Sequence, residues 1–146
     1  MVDIMIYTLL EPEHEMLKHK LPEITAETEP ESRKELLDNM VETMKHYGGI
    51  GLSANQVGLP IRMFVFGDKE HYVPCFNPRI ISTSEKKIPI EEGCLTYPGL
   101  FIKIFRPERV TLTFEDENRE LHEETFTELM ARVVLHEMDH MDGIDF

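Results

Sequence analysis

Leu135-His136-Glu137-Met138-Asp139-His140, near the C-terminus, is the segment from which the rest of the chain is read. Positions i and i+4 of a helix lie one above the other on one face, so His136 and His140 can grip the same cation. Glu137, one step round the helix, then points at water on that cation. This is the H-E-x-x-H arrangement of metallohydrolases, in which the glutamate is the general base. The competing reading is an exposed acidic helix that carries two histidines by composition, since the chain has 7 His and 28 Asp and Glu residues.

The residues before the motif favour a helix with one dry side. Thr125-x-x-Glu128 has the form of a capping box, so the helix is expected to begin near Thr125. Leu129, Val133, His136 and His140 then fall on its inner face, with Met130, Val134 and Glu137 on the adjoining flank. The two histidines thus share a face with apolar residues, as a rigid metal-ligand helix requires. A first helix is expected over about 30–46, where Leu36, Leu37, Met40, Val41 and Met44 repeat at helical spacing. Pro30 suits its opening turn, and Gly48-Gly49 stops it.

Between the helices the pattern is β-like. Arg62–Phe66, Tyr72–Phe76, Ile80–Ser82 and Val110–Phe114 are short β-branched or aromatic runs bounded by turn residues, and 115–119 reads as a hairpin tip. Residues 1–27 are irregular and are expected to wrap the surface. Repeats, low-complexity segments and linkers are missing, so 1–146 reads as one α+β metallohydrolase domain.

Composition excludes several classes of function. A net charge of -13 leaves no basic stretch to neutralise phosphates or anionic lipid, so direct nucleic-acid and membrane partners are not expected. The longest apolar runs are strand-sized. The start Met1-Val2-Asp3-Ile4-Met5-Ile6-Tyr7 has no signal or transit character, and two cysteines make no disulfide framework, so the expected location is cytoplasmic.

A catalytic zinc-type site takes three protein ligands and leaves a position open. Downstream of His140 only Asp142 and Asp145 are available, and either would need the chain to fold straight back. Upstream, Cys94 in Glu92-Gly93-Cys94-Leu95-Thr96 is the better candidate: Gly93 lets the backbone approach, and a thiolate is a soft, strong ligand. Its other reading is a small buried hydrophobe. Cys75, in an apolar strand after Pro74, is read as that. Gly48-Gly49-Ile50-Gly51-Leu52-Ser53-Ala54-Asn55-Gln56 reads as a loop for close ligand approach, with amides able to serve a developing oxyanion, or as a helix C-cap followed by an irregular connection. No Gly-Lys-Ser/Thr follows, so it is not a phosphate loop.

Together these three segments resemble the peptide deformylase family, whose motifs G-x-G-L-A-A-x-Q, E-G-C-L-S and H-E-x-D-H appear here in order as residues 49–56, 92–96 and 136–140. The resemblance runs from Tyr7 to Gly143. It implies a fold of antiparallel sheets packed around a C-terminal metal-binding helix, and hydrolysis of the N-formyl group from the initiator methionine of new polypeptides. It implies Cys94, His136 and His140 as ligands of one divalent metal per chain, with Fe(II) expected and Ni, Co or Zn able to substitute. Glu137 would be the general base. The Gln56 amide and the Leu95 backbone N–H would stabilise the oxyanion. Gly49, Ile50, Gly51 and Gly93 would contact the peptide, with Ile50 and Gly51 holding it as an added strand, and Leu129, Arg132 and Val133 would line the methionine pocket.

The chain departs from the family pattern at several points. Ser53 and Thr96 are small exchanges. Leu135 stands where glutamine usually precedes the first histidine. Arg132 stands where an apolar residue usually lines the pocket; it either faces the pocket, narrowing it or favouring an acidic substrate neighbour, or snorkels outward. Asp139 either orients a ligand histidine or is an exposed helix acid. Relatives continue into a C-terminal helix that docks on ribosomes, so docking is expected to be weak or absent, the chain monomeric, and its origin phage or bacterial. Two other functions use the same residues: a metallopeptidase with Asp142 or Asp145 as third ligand, and a module whose metal is purely structural.

Overall fold

Met63-Phe64-Val65-Phe66 is buried at every position, so the strand that carries it is covered on both faces. In the computed structural model, which describes residues 4–68 and 71–144, this strand is β2 (Met63–Asp68) of a five-stranded antiparallel sheet. Its partners are β1 (Gly51–Ser53), β3 (His71–Thr83), β6 (Arg109–Glu115) and β7 (Leu121–Thr127), in the order β1-β2-β3-β6-β7. Strand alternation splits the core in two. Phe64 and Phe66 pack with Cys75, Leu112, Val134 and Leu135 of one cluster, against helix α2 (Glu128–Met141). Met63 and Val65 pack with Phe76, Leu36, Met40 and Met44 of the other, against helix α1 (Arg33–His46).

The remaining strands, β4 (Lys87–Cys94) and β5 (Tyr97–Pro107), form a separate two-stranded hairpin. It meets α2 through buried Glu92, Arg106 and Arg132 rather than through apolar side chains. The helix therefore has a sheet on one side and a hairpin on another, and the α+β expectation of antiparallel sheets around the C-terminal helix holds. The segment before α1 is irregular, with one 3-10 turn at Glu15–Lys18. It is tied down by side chains: Asn39 Oδ1 accepts from Met5 N, Thr43 Oγ1 from Tyr7 N, and Asn77 brackets both backbone groups of Ile24. No helix among the described residues is long and apolar enough to cross a membrane.

Several boundaries differ from the sequence expectation. α1 starts at Arg33, where Ser32 Oγ accepts from Glu35 N at 3.1 Å, so Pro30 lies before the cap. Thr125 does not cap α2. It is a β7 residue hydrogen-bonded to Thr111 Oγ1 at 2.8 Å, and the helix opens at Glu128 with its N–H on Glu108 O. Leu129 is 54% exposed instead of facing the core. The two runs 72–76 and 80–82 belong to one bulged strand, β3. No run is singled out in sequence for β1, β4, β5 or β7, although β4 and β5 fall inside the β-like stretch from Arg62 to Glu117. Both Gly48 and Gly143 take positive φ (74° and 79°) and end their helices with paired backbone bonds, Gly48–Lys45 and Gly49–Met44 after α1, Gly143–His140 and Ile144–Asp139 after α2.

Candidate metal centre

Two elements converge on one point. α2 presents His136 and His140 one turn apart, with ring centroids 4.4 Å from each other. The end of β4 brings Cys94 beside them, its Sγ 3.5 Å from His140 Nε2. One ligand atom from each of Cys94, His136 and His140 lies within 4.8 Å of the others. Asp142, an alternative third ligand, instead pairs with Arg62 Nη1 at 3.1 Å. Asp145 lies outside the described residues. Cys75 is fully buried in the core, and burial pushes its thiol well above the ordinary value.

The donor set fits a soft or borderline divalent cation: one thiol and two imidazoles, held rigidly and mostly out of water. Electrostatics agree. Burial alone would keep the Cys94 thiol up, but hydrogen bonds from His136 and His140 bring it down to about 6, so thiolate prevails at neutral pH. Burial opposes charge on His136, yet its bonds to Cys94 and Glu92 lift it to about 9. His140 is likewise disfavoured by burial and lifted to about 10 by the Glu137 charge and the Cys94 contact. Protons on these rings supply the positive charge that the carboxylates and thiolate demand, and a cation would displace them.

Surrounding groups fix each ligand. His136 Nδ1 faces Glu92 Oε1 at 3.0 Å, which puts the ring proton there and leaves Nε2 as the ligand atom. Glu92 is held at about 2, burial being overcome by bonds from His136, Arg106 and Arg132. His140 Nδ1 lies 2.9 Å from Glu137 Oε1 and 3.3 Å from Ser53 Oγ, and Asn55 Nδ2 donates to His140 O at 2.9 Å. Ser53, the small departure in the glycine-rich segment, also gives its N–H to Gln56 Oε1 at 3.0 Å, which turns Gln56 Nε2 toward Thr96 Oγ1 (2.9 Å) and Cys94 Sγ (3.6 Å).

All the residues that sequence assigned to the site border one cavity of about 700 Å³. Gly49, Ile50 and Gly51 come to it where the chain enters β1, Gly93 from the end of β4, Leu95 from the β4–β5 turn, and Leu129, Arg132 and Val133 from the first turns of α2. Close approach explains the glycines. A Cβ on Gly51 would sit 2.5 Å from Glu137 Oε2, one on Gly49 2.6 Å from Leu95 Cδ1, and one on Gly93 2.9 Å from the Phe101 ring.

Arg132 departs from both readings that its position allowed. Arg132 neither aims its charge into the cavity nor snorkels outward: it is 4% exposed, with its guanidinium on Glu92. Asp139 accepts from Arg106 Nη1 at 2.8 Å. Leu135 is packed in the core cluster that contains Phe64. Glu92 and Arg106 were missed as site-building residues, Glu92 although it stands inside the motif around Cys94, and Ser53 was noted only as a small exchange in the glycine-rich segment.

The sequence model of the polypeptide deformylase family matches residues 6–146. A peptide deformylase of Treponema pallidum is 40% identical over 131 residues, covering 86% of this chain and 80% of that protein. That of Fusobacterium nucleatum is 37% identical over 143 residues, covering 97% and 82%. The crystal structure of the peptide deformylase from Thermotoga maritima superposes with a TM-score of 0.89 at 33% identity, covering 95% of this chain and 93% of that one.

Proposed function

This chain belongs to the polypeptide deformylase family, and from that premise we propose that Cys94, His136 and His140 hold one divalent metal ion and that Glu137 moves the protons of the reaction. The reaction is hydrolysis of the N-formyl group from newly made polypeptides, with release of formate. A divalent ion in this donor set supplies a Lewis acid and makes water acidic enough to attack near neutral pH. Fe(II) is the proposed resident, with Ni, Co or Zn as substitutes.

The chain's own groups do the rest. Glu137, buried and bordering the cavity, accepts the proton of the attacking water and delivers it to the departing α-amine. Gln56 Nε2 donates to Thr96 Oγ1 and toward Cys94 Sγ, and the hydrogen it turns to the cysteine is the one that, with the Leu95 backbone N–H, would serve the oxygen that gains charge. Each such donor is worth about 3 kcal/mol. The peptide lies along the open edge of β1 as an added strand. Ile50 O already accepts from Gly67 N at 3.0 Å, so strand alternation turns the N–H and C=O of Gly51 to that edge. Gly49 and Gly93 keep both walls low, and Leu129, Val133 and the stem of Arg132 receive the methionine side chain. The proposed setting is bacterial cytoplasm, with the chain acting as a monomeric single domain on N-formylmethionyl peptides, without direct nucleic-acid contact.

The single observation that carries this reading is the meeting of Cys94, His136 and His140 beside Glu137 and Gln56 in one cavity. Its test is formate release from formyl-Met-Ala-Ser beside unformylated Met-Ala-Ser, with protein loaded anaerobically with Fe(II) or Ni(II). Formate is expected from the first peptide only, and Glu137→Ala is expected to lower kcat roughly 10²–10⁴-fold with metal content retained. Cleavage of internal bonds in unformylated peptides, or full activity in Cys94→Ala, would favour the metallopeptidase instead.

A further inference from the structure

Arg132 lies one turn before His136 on α2, and its guanidinium reaches three acceptors from two strands. Nη1 donates to Glu92 Oε2 at 2.6 Å and to Ile104 O at 2.9 Å, and Nη2 donates to Ile88 O at 2.5 Å. Ile88 and Glu92 belong to β4 and Ile104 to β5, so one planar fork fastens both strands of the hairpin to the helix. Glu92 also takes Arg106 Nε on Oε2 at 2.6 Å and Arg106 Nη2 on Oε1 at 2.9 Å. The fourth group on this carboxylate is His136 Nδ1, 3.0 Å from Oε1.

Arg106 holds the carboxylate from β5, with its third nitrogen, Nη1, tied to Asp139 on α2. Arg132 pins Oε2 from a different direction and from the same helix that carries His136, so a single rigid element holds both the ring and the cation that fixes the ring's carboxylate. We propose that Arg132 is a positioning residue for His136: through Glu92 it sets the plane and tautomer of that histidine for metal binding. The proposal rests on the reading of Cys94, His136 and His140 as metal ligands. It also explains why an arginine is tolerated beside the methionine pocket: the charge is committed to Glu92 and two carbonyls.

Arg132→Met keeps an unbranched apolar side chain along the cavity and deletes every one of these bonds. Arg132→Lys keeps a cation for Glu92 but loses the fork. Wild type and both variants are titrated anaerobically with Co(II), following the visible spectrum and the thiolate-to-cobalt band, and release to a chelator is timed. Wild type is expected to take up one Co(II). Arg132→Met is expected to bind it roughly 10–100-fold more weakly, with an altered spectrum and a fall in kcat at little-changed KM. Arg132→Lys is expected to fall between, and it decides the matter should the methionine variant fail to fold. Co(II) affinity and spectrum equal to wild type in the folded variants, whatever their thermal stability, would overturn the role. A rise in KM alone would reduce Arg132 to a wall of the cavity. No Co(II) uptake by wild type itself would sink the ligand assignment first, so the two failures are read from different samples.

Discussion

At Gly51 one methyl group is expected to separate folding from catalysis. Its backbone is not in the left-handed region, and its position on β1 would suit most residues, so Gly51→Ala has no conformational penalty to speak of. The added Cβ, however, would meet Glu137 Oε2 at 2.5 Å and Val133 Cγ1 at 3.0 Å. Val133 is fixed in the helix, so the carboxylate must turn, and with it the bond to His140 Nδ1. Gly51→Ala is therefore expected to lower kcat for formyl-Met peptides by at least about tenfold, while thermal stability changes by less than about 1 kcal/mol. Steady-state kinetics beside a melting curve would check this; an unchanged kcat would mean that Glu137 is not held against β1. At this scale the sequence was most legible. Cys94, His136, His140, Glu137 and Gln56, which meet in one cavity, were picked out by residue type, by spacing and by the resemblance of their three segments to one family. Glu92 and Arg106 were not, since a carboxylate that orients a ligand looks in sequence like any surface acid. Arg132 could be noticed as unusual, but where its guanidinium goes is decided by strands 28 and 44 residues away.

Elements were legible where burial imposes a period. α1 and the β2 run announced themselves through continuous or periodic apolar positions. β4, β5 and β7 did not, because the first two form a hairpin with a polar buried face and the third is an edge strand with no fully buried residue. Thr125 shows the cost of this: Thr-x-x-Glu is a capping pattern only if the threonine is not already paired in a sheet, and Thr111 pairs it. The C-terminal end of α2 gives a prediction of its own. Gly143 at φ 79° completes the helix stop, and a Cβ there would lie 2.7 Å from the Lys18 backbone carbon. Gly143→Ala is expected to destabilise the protein by at least about 1–2 kcal/mol, and because His140 lies in the last helical turn, to weaken metal retention as well. Denaturant titration and metal analysis after dialysis would check both. The β6–β7 hairpin carries a pH-dependent pair. Its bond to Asp116 Oδ2 at 2.7 Å raises His122 above its ordinary 6.5, while Asp116, whose burial is outweighed by His122 and two backbone amides, falls below 3.8. The histidine's contribution is complete below pH 6.5 and disappears as pH rises through its raised value. The aspartate's is present above 3.8 and disappears as pH falls through its lowered value. The pair is therefore strongest between about pH 4 and 6.5, at no more than about 0.5 kcal/mol for partners this close to solvent. An NMR titration should give His122 a midpoint above 6.5 that drops in Asp116→Asn; the same midpoint in both would remove the pair.

For the whole molecule, the question is what the metal holds together. Cys94 is on the hairpin and both histidines are on α2, so an ion bound there is a strap between the two-stranded sheet and the rest. It is not the only strap, because Glu92, Arg106, Arg132 and Asp139 join the same parts without it. The two apolar clusters that hold the five-stranded sheet between α1 and α2 include none of the three ligands. Stripping the metal should therefore loosen the hairpin and leave the fold standing. A ligand at about 100 times its Kd adds about 2.7 kcal/mol, which for a chain of this length corresponds to a Tm change on the order of 5–10 °C. Chelation is expected to lower Tm by that amount with far-UV circular dichroism unchanged. Amide exchange should rise in β4 and β5 well before β2 and β6, because most hairpin residues are exposed and a few polar contacts join it to the helix, whereas β2 is buried on both faces and β6 on one. If chelation instead collapsed the far-UV signal, the metal would be structural and the hydrolase reading would lose its support. If exchange rose uniformly, the hairpin would not be the part that the ion ties down.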